Sequence, residues 1–344
     1  MRTAVLLLVS LLPSVGVSQG VRPRTRRAVI ASPTASVEVR LALVRTLFER
    51  GSFVDAETAL GRLPRAVRTS DAARLLLARI RVARSGLRFE PNSARALPAN
   101  LQAELRALLP VVETYTAARG DDPIAWRLRA TIELSLGDLS AADASMTVLV
   151  RLSPRDAVAH NDRAMILVAS RRLPEAQSLL ETATQLAPND AEPWSNLGAV
   201  RLARGTTATA IEAFEHAVRA APDGGRYQSD LGSALLAAGQ NARALEAYRR
   251  AAELSPDDGV VQANLGYALV LADRQDEGVA VLRRAVQRSP RSVLAWANLG
   301  IVLARRGDFP SAEAALRRAL EIDPNDARTA ATLASLRVLS SRRP

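Results

Sequence analysis

Five polar residues of this sequence stand thirty-four positions apart: Asp162, Asn196, Asp230, Asn264 and Asn298. A carboxamide donates and accepts hydrogen bonds at once, so it can hold a peptide unit without reading its side chain; an ionised carboxylate only accepts. The chemistry of such a line is binding, with Asp162 and Asp230 favouring N–H donors or cationic side chains. A polar seam, solvated or hydrogen-bonded between repeats, fits the same spacing equally well. Catalysis finds little support. The chain has two histidines and no cysteine, which removes thiol nucleophiles, disulfides and thiolate metal sites. His160 and His216 have no ligand set around them in the sequence, so no metal is expected. Phosphate loops, nucleophile elbows and dinucleotide glycine patterns are absent, and no cofactor is expected. The acidic pair Asp257 and Asp258 follows Pro256 in a turn, where a helix N-terminus accounts for it.

The elements that carry this line repeat with it. Pro154, Pro188, Pro222, Pro256, Pro290 and Pro324 share the thirty-four-residue spacing, the mark of a repeat array. With the register fixed on those prolines, Trp126, Trp194 and Trp296 hold place four, with His160 standing there in another repeat. Leu197, Leu231, Leu265 and Leu299 hold place seven, and Gly198, Gly232, Gly266 and Gly300 place eight. Ala142, Ala176, Ala210, Ala244 and Ala312 hold place twenty; Met146, Leu180, Phe214, Tyr248, Leu282 and Leu316 hold place twenty-four; Ala183, Ala217, Ala251, Ala285 and Ala319 hold place twenty-seven. Apolar residues at helical spacing run to a break near Gly137, Gly205, Gly239 or Gly307 and then resume, which predicts two antiparallel helices per repeat. Small residues at places eight and twenty let the pair approach closely, so a bulky residue at Ala176 or Ala210 costs roughly 1–3 kcal/mol.

These residues resemble the tetratricopeptide repeat family, best in 194–205 and 296–309. The resemblance implies an all-α, right-handed superhelical solenoid of antiparallel helical hairpins. It also implies that the sixth place faces the inner, concave surface, where such asparagines contact the backbone of bound extended peptides. The lysine and asparagine clamp by which chaperone-binding members grip a terminal carboxylate is not reproduced: places five and nine read Arg127/Thr131, Asn161/Met165, Ser195/Ala199 and Ser229/Ser233. Val158, Leu202, Leu236 and Val270 would form an apolar floor, or pack within the array.

The expected organisation is a signal peptide at 1–18, an arginine-rich linker at 19–36, a degenerate repeat-like helical region at 37–121, six repeats at 122–326, and a capping helix with tail at 327–344. Arg2, the apolar run from Ala4 to Leu12, and Gly16 and Ser18 before a cut compose the export signal. Gly51 and Ala56 extend the repeat register into 37–63, and Pro110 is expected to kink the helix at 99–118. Of the 344 residues, 48% are hydrophobic but only 3% aromatic, which suits small-residue helix packing. The net charge is +11, and all the basic residues are arginines. Residues 1–121 carry nineteen arginines against nine acids, whereas 122–344 are nearly balanced. The repeats therefore lack the basic stripe of a nucleic-acid binder, and no nucleic acid is expected as partner. Arg22, Arg24, Arg26 and Arg27 suit an anionic envelope surface. Together these features suggest an exported, non-enzymatic scaffold of the bacterial periplasm or envelope holding a partner protein or peptide. The alternative is a regulatory or substrate-selecting subunit of an envelope enzyme or of a pilus or secretion assembly. The sequence specifies no oligomeric state.

Overall fold

The computed structural model describes residues 37–87 and 97–341. The export signal and the arginine-rich segment expected before residue 37 lie outside the described residues. Two compact units divide between Ser170 and Arg171. Among the described residues every regular element is a helix, and none is long and apolar enough to cross a membrane.

The first unit holds α1 (Val37–Glu49), α2 (Phe53–Gly61), the single turn α3 (Arg65–Arg68), α4 (Asp71–Arg84), α5 (Ala99–Ala118), α6 (Pro123–Ser135), α7 (Leu139–Leu152) and α8 (Ala157–Ala169). The second holds α9 (Leu173–Leu186), α10 (Ala191–Ala203), α11 (Thr207–Ala220), α12 (Gly225–Ala237), α13 (Asn241–Leu254), α14 (Gly259–Leu271), α15 (Gln275–Arg288), α16 (Val293–Arg305), α17 (Phe309–Ile322) and α18 (Ala327–Ser341). The helices pair as hairpins: α1 with α2 and α6 with α7 in the first unit, and α10 with α11, α12 with α13, α14 with α15 and α16 with α17 in the second.

Five of the six first-helix starts in the repeats follow from the residue before the helix; Gly224, before α12, has no side chain to cap with. Asp122, Asp156, Asp190, Asp258 and Ser292 accept hydrogen bonds from backbone N–H groups in the first turn of α6, α8, α10, α14 and α16, satisfying donors that the helix itself leaves unpaired. Asp258 thus behaves as the sequence suggests, while Asp257 faces Arg288 at 3.5 Å. Helix ends follow from place fifteen, where the chain turns through the left-handed region. Gly137, Gly205, Gly239 and Gly307 do so at φ 73–86°, and Arg171 and Asp273 adopt φ 60° and 63° at the same place.

Packing explains the small residues. A Cβ added at Gly198 would stand 2.8 Å from the Phe214 ring, and at Gly300 it would stand 2.6 Å from Leu316 and 3.0 Å from the Ala312 carbonyl. Place eight therefore meets the large side chain of place twenty-four and the backbone of place twenty. In the second unit the core runs through Ala210, Phe214, Leu235 and Tyr248, then through Leu282, Leu299, Leu303 and Leu316. Leu333 and Leu336 of α18 are buried against the latter cluster, the packing expected of a capping helix. In the first unit Ala56 is fully buried between α1 and α2, Gly51 turns at φ 76°, and α5 continues on both sides of Pro110.

Candidate peptide-binding ladder

Within the second unit, successive first helices α10, α12, α14 and α16 pack directly on one another, with their backbones closer than those of successive second helices. The first helices thus form the tighter layer, and place six recurs along it. Ser195 Oγ donates to Asp230 Oδ2 at 3.0 Å; Asn264 Nδ2 approaches Ser229 Oγ at 3.5 Å; Asn298 Nδ2 donates to the Ala263 carbonyl at 3.2 Å. Each contact joins place six to place five of the preceding repeat. In the first unit the relation is the same: Arg127 Nη1 donates to Asp162 Oδ2 at 2.6 Å, and Nη2 to the helix-capping Asp156 at 2.8 Å.

The rungs differ in what they leave for a ligand. Asp162, Asn196, Asp230 and Asn264 are partly exposed, but Asn298 is only 6% exposed. Burial pushes the Asp230 carboxyl above the usual carboxylate range, opposed by its bond from Ser195 and the charge of Arg226. At place nine, Thr131 and Ser233 donate to the carbonyls of Arg127 and Ser229, so these hydroxyls bond to their own helices. Of the apolar floor, Val158 is exposed and Leu202 and Leu236 are half-buried against the core. Val270 is 3% exposed; it packs within the array, against Gly278, where a Cβ would stand 2.5 Å from its Cγ2.

Two features escape the sequence. The first is the job of place four: the side-chain N–H groups of Trp126, Trp194, Trp296 and Gln262 donate to the carbonyl six residues earlier, at 2.9–3.2 Å. His160 Nε2 meets the Pro154 carbonyl at 3.0 Å, and since a carbonyl only accepts, this nitrogen carries the proton. His160 is therefore a donor standing where tryptophan stands elsewhere, and a common six-residue offset was the available signal. The second is a buried ionic knot in the first unit. Arg129 Nε donates to Glu133 Oε1 at 2.7 Å and Ser145 Oγ to Glu133 Oε2 at 2.6 Å, with Glu133 2% exposed. Arginine at place seven, where leucine recurs, was its trace. His216 stacks on Trp194 with ring centroids 4.2 Å apart, and burial and Arg219 hold its pKa below the usual histidine value.

The tetratricopeptide repeat model matches residues 161–225, 229–293 and 274–327. The repeats of this chain are tetratricopeptide repeats, an all-α scaffold suited to protein or peptide binding. No curated protein matches the sequence significantly. Among solved structures, the Cut9–Hcn1 hetero-tetramer of the APC/C superposes with TM-score 0.56 at 16% identity, over 91% of this chain and 58% of that one. The C-terminal part of a repeat-containing protein from Cytophaga hutchinsonii gives 0.50 at 15% identity, over 67% and 95%. YrrB, described as a tetratricopeptide repeat protein with an unusual peptide-binding site, gives 0.43 at 24% identity, over 56% and 98%.

Proposed function

We propose that this chain is an exported, non-enzymatic scaffold of the periplasm or envelope, which holds a partner protein or extended peptide along its first helices. The observation that carries this is the ladder in the second unit. Asn196, Asp230 and Asn264 are partly exposed on the first helices of three successive repeats, and a carboxamide presents both donor and acceptor sites to a peptide unit. First helices pack about 8–10 Å apart and an extended chain rises about 3.3 Å per residue, so one rung serves roughly three ligand residues. Mechanism is then binding without turnover, with the arginines at 22, 24, 26 and 27 adding attraction to an anionic surface.

The test crosslinks the tagged protein in its native envelope and compares recovery of partner by wild type and by Asn196→Ala/Asn264→Ala. Loss of partner with helical content retained supports the reading; full recovery by a folded double variant overturns it. N-terminal sequencing of the same material tests export, which an intact Met1 in a cytosolic fraction would refute.

A further inference from the structure

The two carboxylates of the ladder keep different electrostatic company. Asp162 is matched by Arg127 at 2.6 Å. Asp230 receives one hydrogen bond, from the neutral Ser195 hydroxyl at 3.0 Å, and among the described residues no arginine pairs with it. Arg226, one turn earlier on α12, is the cation whose charge reaches it. That guanidinium, however, lies over the Tyr227 ring, 4.6 Å from its centroid, and donates to the Tyr227 hydroxyl at 3.2 Å. The nearby hydroxyls of α12 are engaged elsewhere: Ser229 faces Asn264, and Ser233 shares a hydrogen bond with the Tyr248 hydroxyl at 2.8 Å.

A partly buried carboxylate held by one neutral bond has lost water without gaining a counter-charge. A cation arriving from outside would supply the charge-assisted bond that the fold withholds. Resting on the groove reading above, we propose that Asp230 receives the guanidinium or ammonium of a basic side chain in an extended peptide whose backbone is held by Asn196 and Asn264. At Asp162 the chain's own Arg127 already stands where such a cation would sit, so that rung has no such preference. The ligand class is thus a basic extended segment, its cation about three residues from the backbone units that meet the flanking rungs.

The test measures binding of the full chain to pools of randomised seven-residue peptides whose central position is Arg, Lys, citrulline or norleucine. Arg- and Lys-centred pools are expected to bind at least about tenfold more tightly than the neutral pools, a charge-assisted against a neutral contact. Asp230→Asn should level the four pools, and Asp162→Asn should leave the preference in place. Asparagine stands at the same place at 196 and 264, so the first variant keeps the local shape, and circular dichroism confirms its fold. Equal binding of all pools by wild type overturns the cation site while the groove stands. A preference that survives Asp230→Asn assigns the cation elsewhere and also overturns it. Binding of no pool removes the groove and the cation site together.

Discussion

Asn298→Ala should destabilise the protein while Asn264→Ala should not, although both residues hold the same place in adjacent repeats. Asn298 is buried and donates to the Ala263 carbonyl at 3.2 Å. A typical net hydrogen bond is worth about 0.5–1.5 kcal/mol. The Ala263 carbonyl lies inside α14 and keeps its helical acceptor role towards residue 267, so no acceptor is orphaned. Alanine returns up to roughly 0.5 kcal/mol of helix propensity, but the truncation also leaves a small void in a sealed position. The net loss is about 1 kcal/mol. Asn264, by contrast, stands 3.5 Å from Ser229 Oγ, beyond the usual N–H···O range, and is partly exposed; its replacement is near neutral or slightly stabilising. Urea unfolding followed by circular dichroism reads the difference. Shared m-values are needed for the comparison, because repeat arrays can lose cooperativity. Equal losses for the two variants, or a larger loss for Asn264→Ala, would refute the geometry on which the unequal rungs rest.

Arg171→Gly should stabilise by about 0.5–1 kcal/mol, since a non-glycine residue in the left-handed region costs roughly 1–2 kcal/mol and glycine returns part of that as unfolded-state entropy. Asp273→Gly should gain less, aspartate tolerating this region better; melting midpoints of both variants decide. Gly300→Ala should cost about 1–3 kcal/mol by overpacking, and because the clash is with the Leu316 Cγ at 2.6 Å, Leu316→Ala in the same chain should make the double variant lose less than the sum of the two single changes. Arg129→Met should cost about 3 kcal/mol, the low end for stripping a buried carboxylate of its partner, and Glu133→Gln in the same background should restore stability if the charge is the cause. For Asp230, a carboxyl whose native pKa lies above its unfolded value adds most stability below the unfolded value, and that contribution is lost as pH rises through the native pKa. With its pKa raised from 3.8, Asp230→Asn should gain on wild type as pH climbs from 3 to 7; equal unfolding curves across that range would count against the desolvated carboxylate.

The helical hairpin, its break at place fifteen and the close approach of places eight and twenty were legible in the sequence, because they involve neighbours a fixed short distance along the chain and composition at each place reports them. That place eight also meets the large side chain of place twenty-four inside the same hairpin was not, because bulk at a given place does not say which neighbour it fills. Arg171 and Asp273 could be aligned to the turn but not read as left-handed, because only the positive φ of the equivalent glycines reveals what the backbone demands there. Partners across hairpins were harder. Place six touches place five of the previous repeat at a separation of thirty-five residues, and nothing in the one-dimensional pattern of Asp162 or Asn298 says whether the side chain turns to its neighbour or to solvent. The place-four donor was hidden for another reason: tryptophan is read as bulk, and only His160 and Gln262 at the same offset reveal that the N–H is what these residues have in common.

The residue at place five sets what each rung can do. Where it is Arg127, the rung acid is neutralised and becomes a tie between helices. Where it is Ser195, a neutral hydroxyl satisfies part of Asp230 and leaves its charge unmatched. Ser229 makes only a long contact with Asn264, whose amide retains capacity, and at Ala263 there is no side-chain partner, so Asn298 folds onto the backbone and is sealed from solvent. Tie and ligand contact are therefore not rival descriptions of the whole ladder; they are distributed along it by the neighbouring place. Exchanging Ser195 for arginine should carry the Asp162 arrangement to Asp230 and abolish any preference for basic peptides without touching Asp230 itself. A preference that persisted in Ser195→Arg, with the variant folded, would show that place five does not govern the rungs.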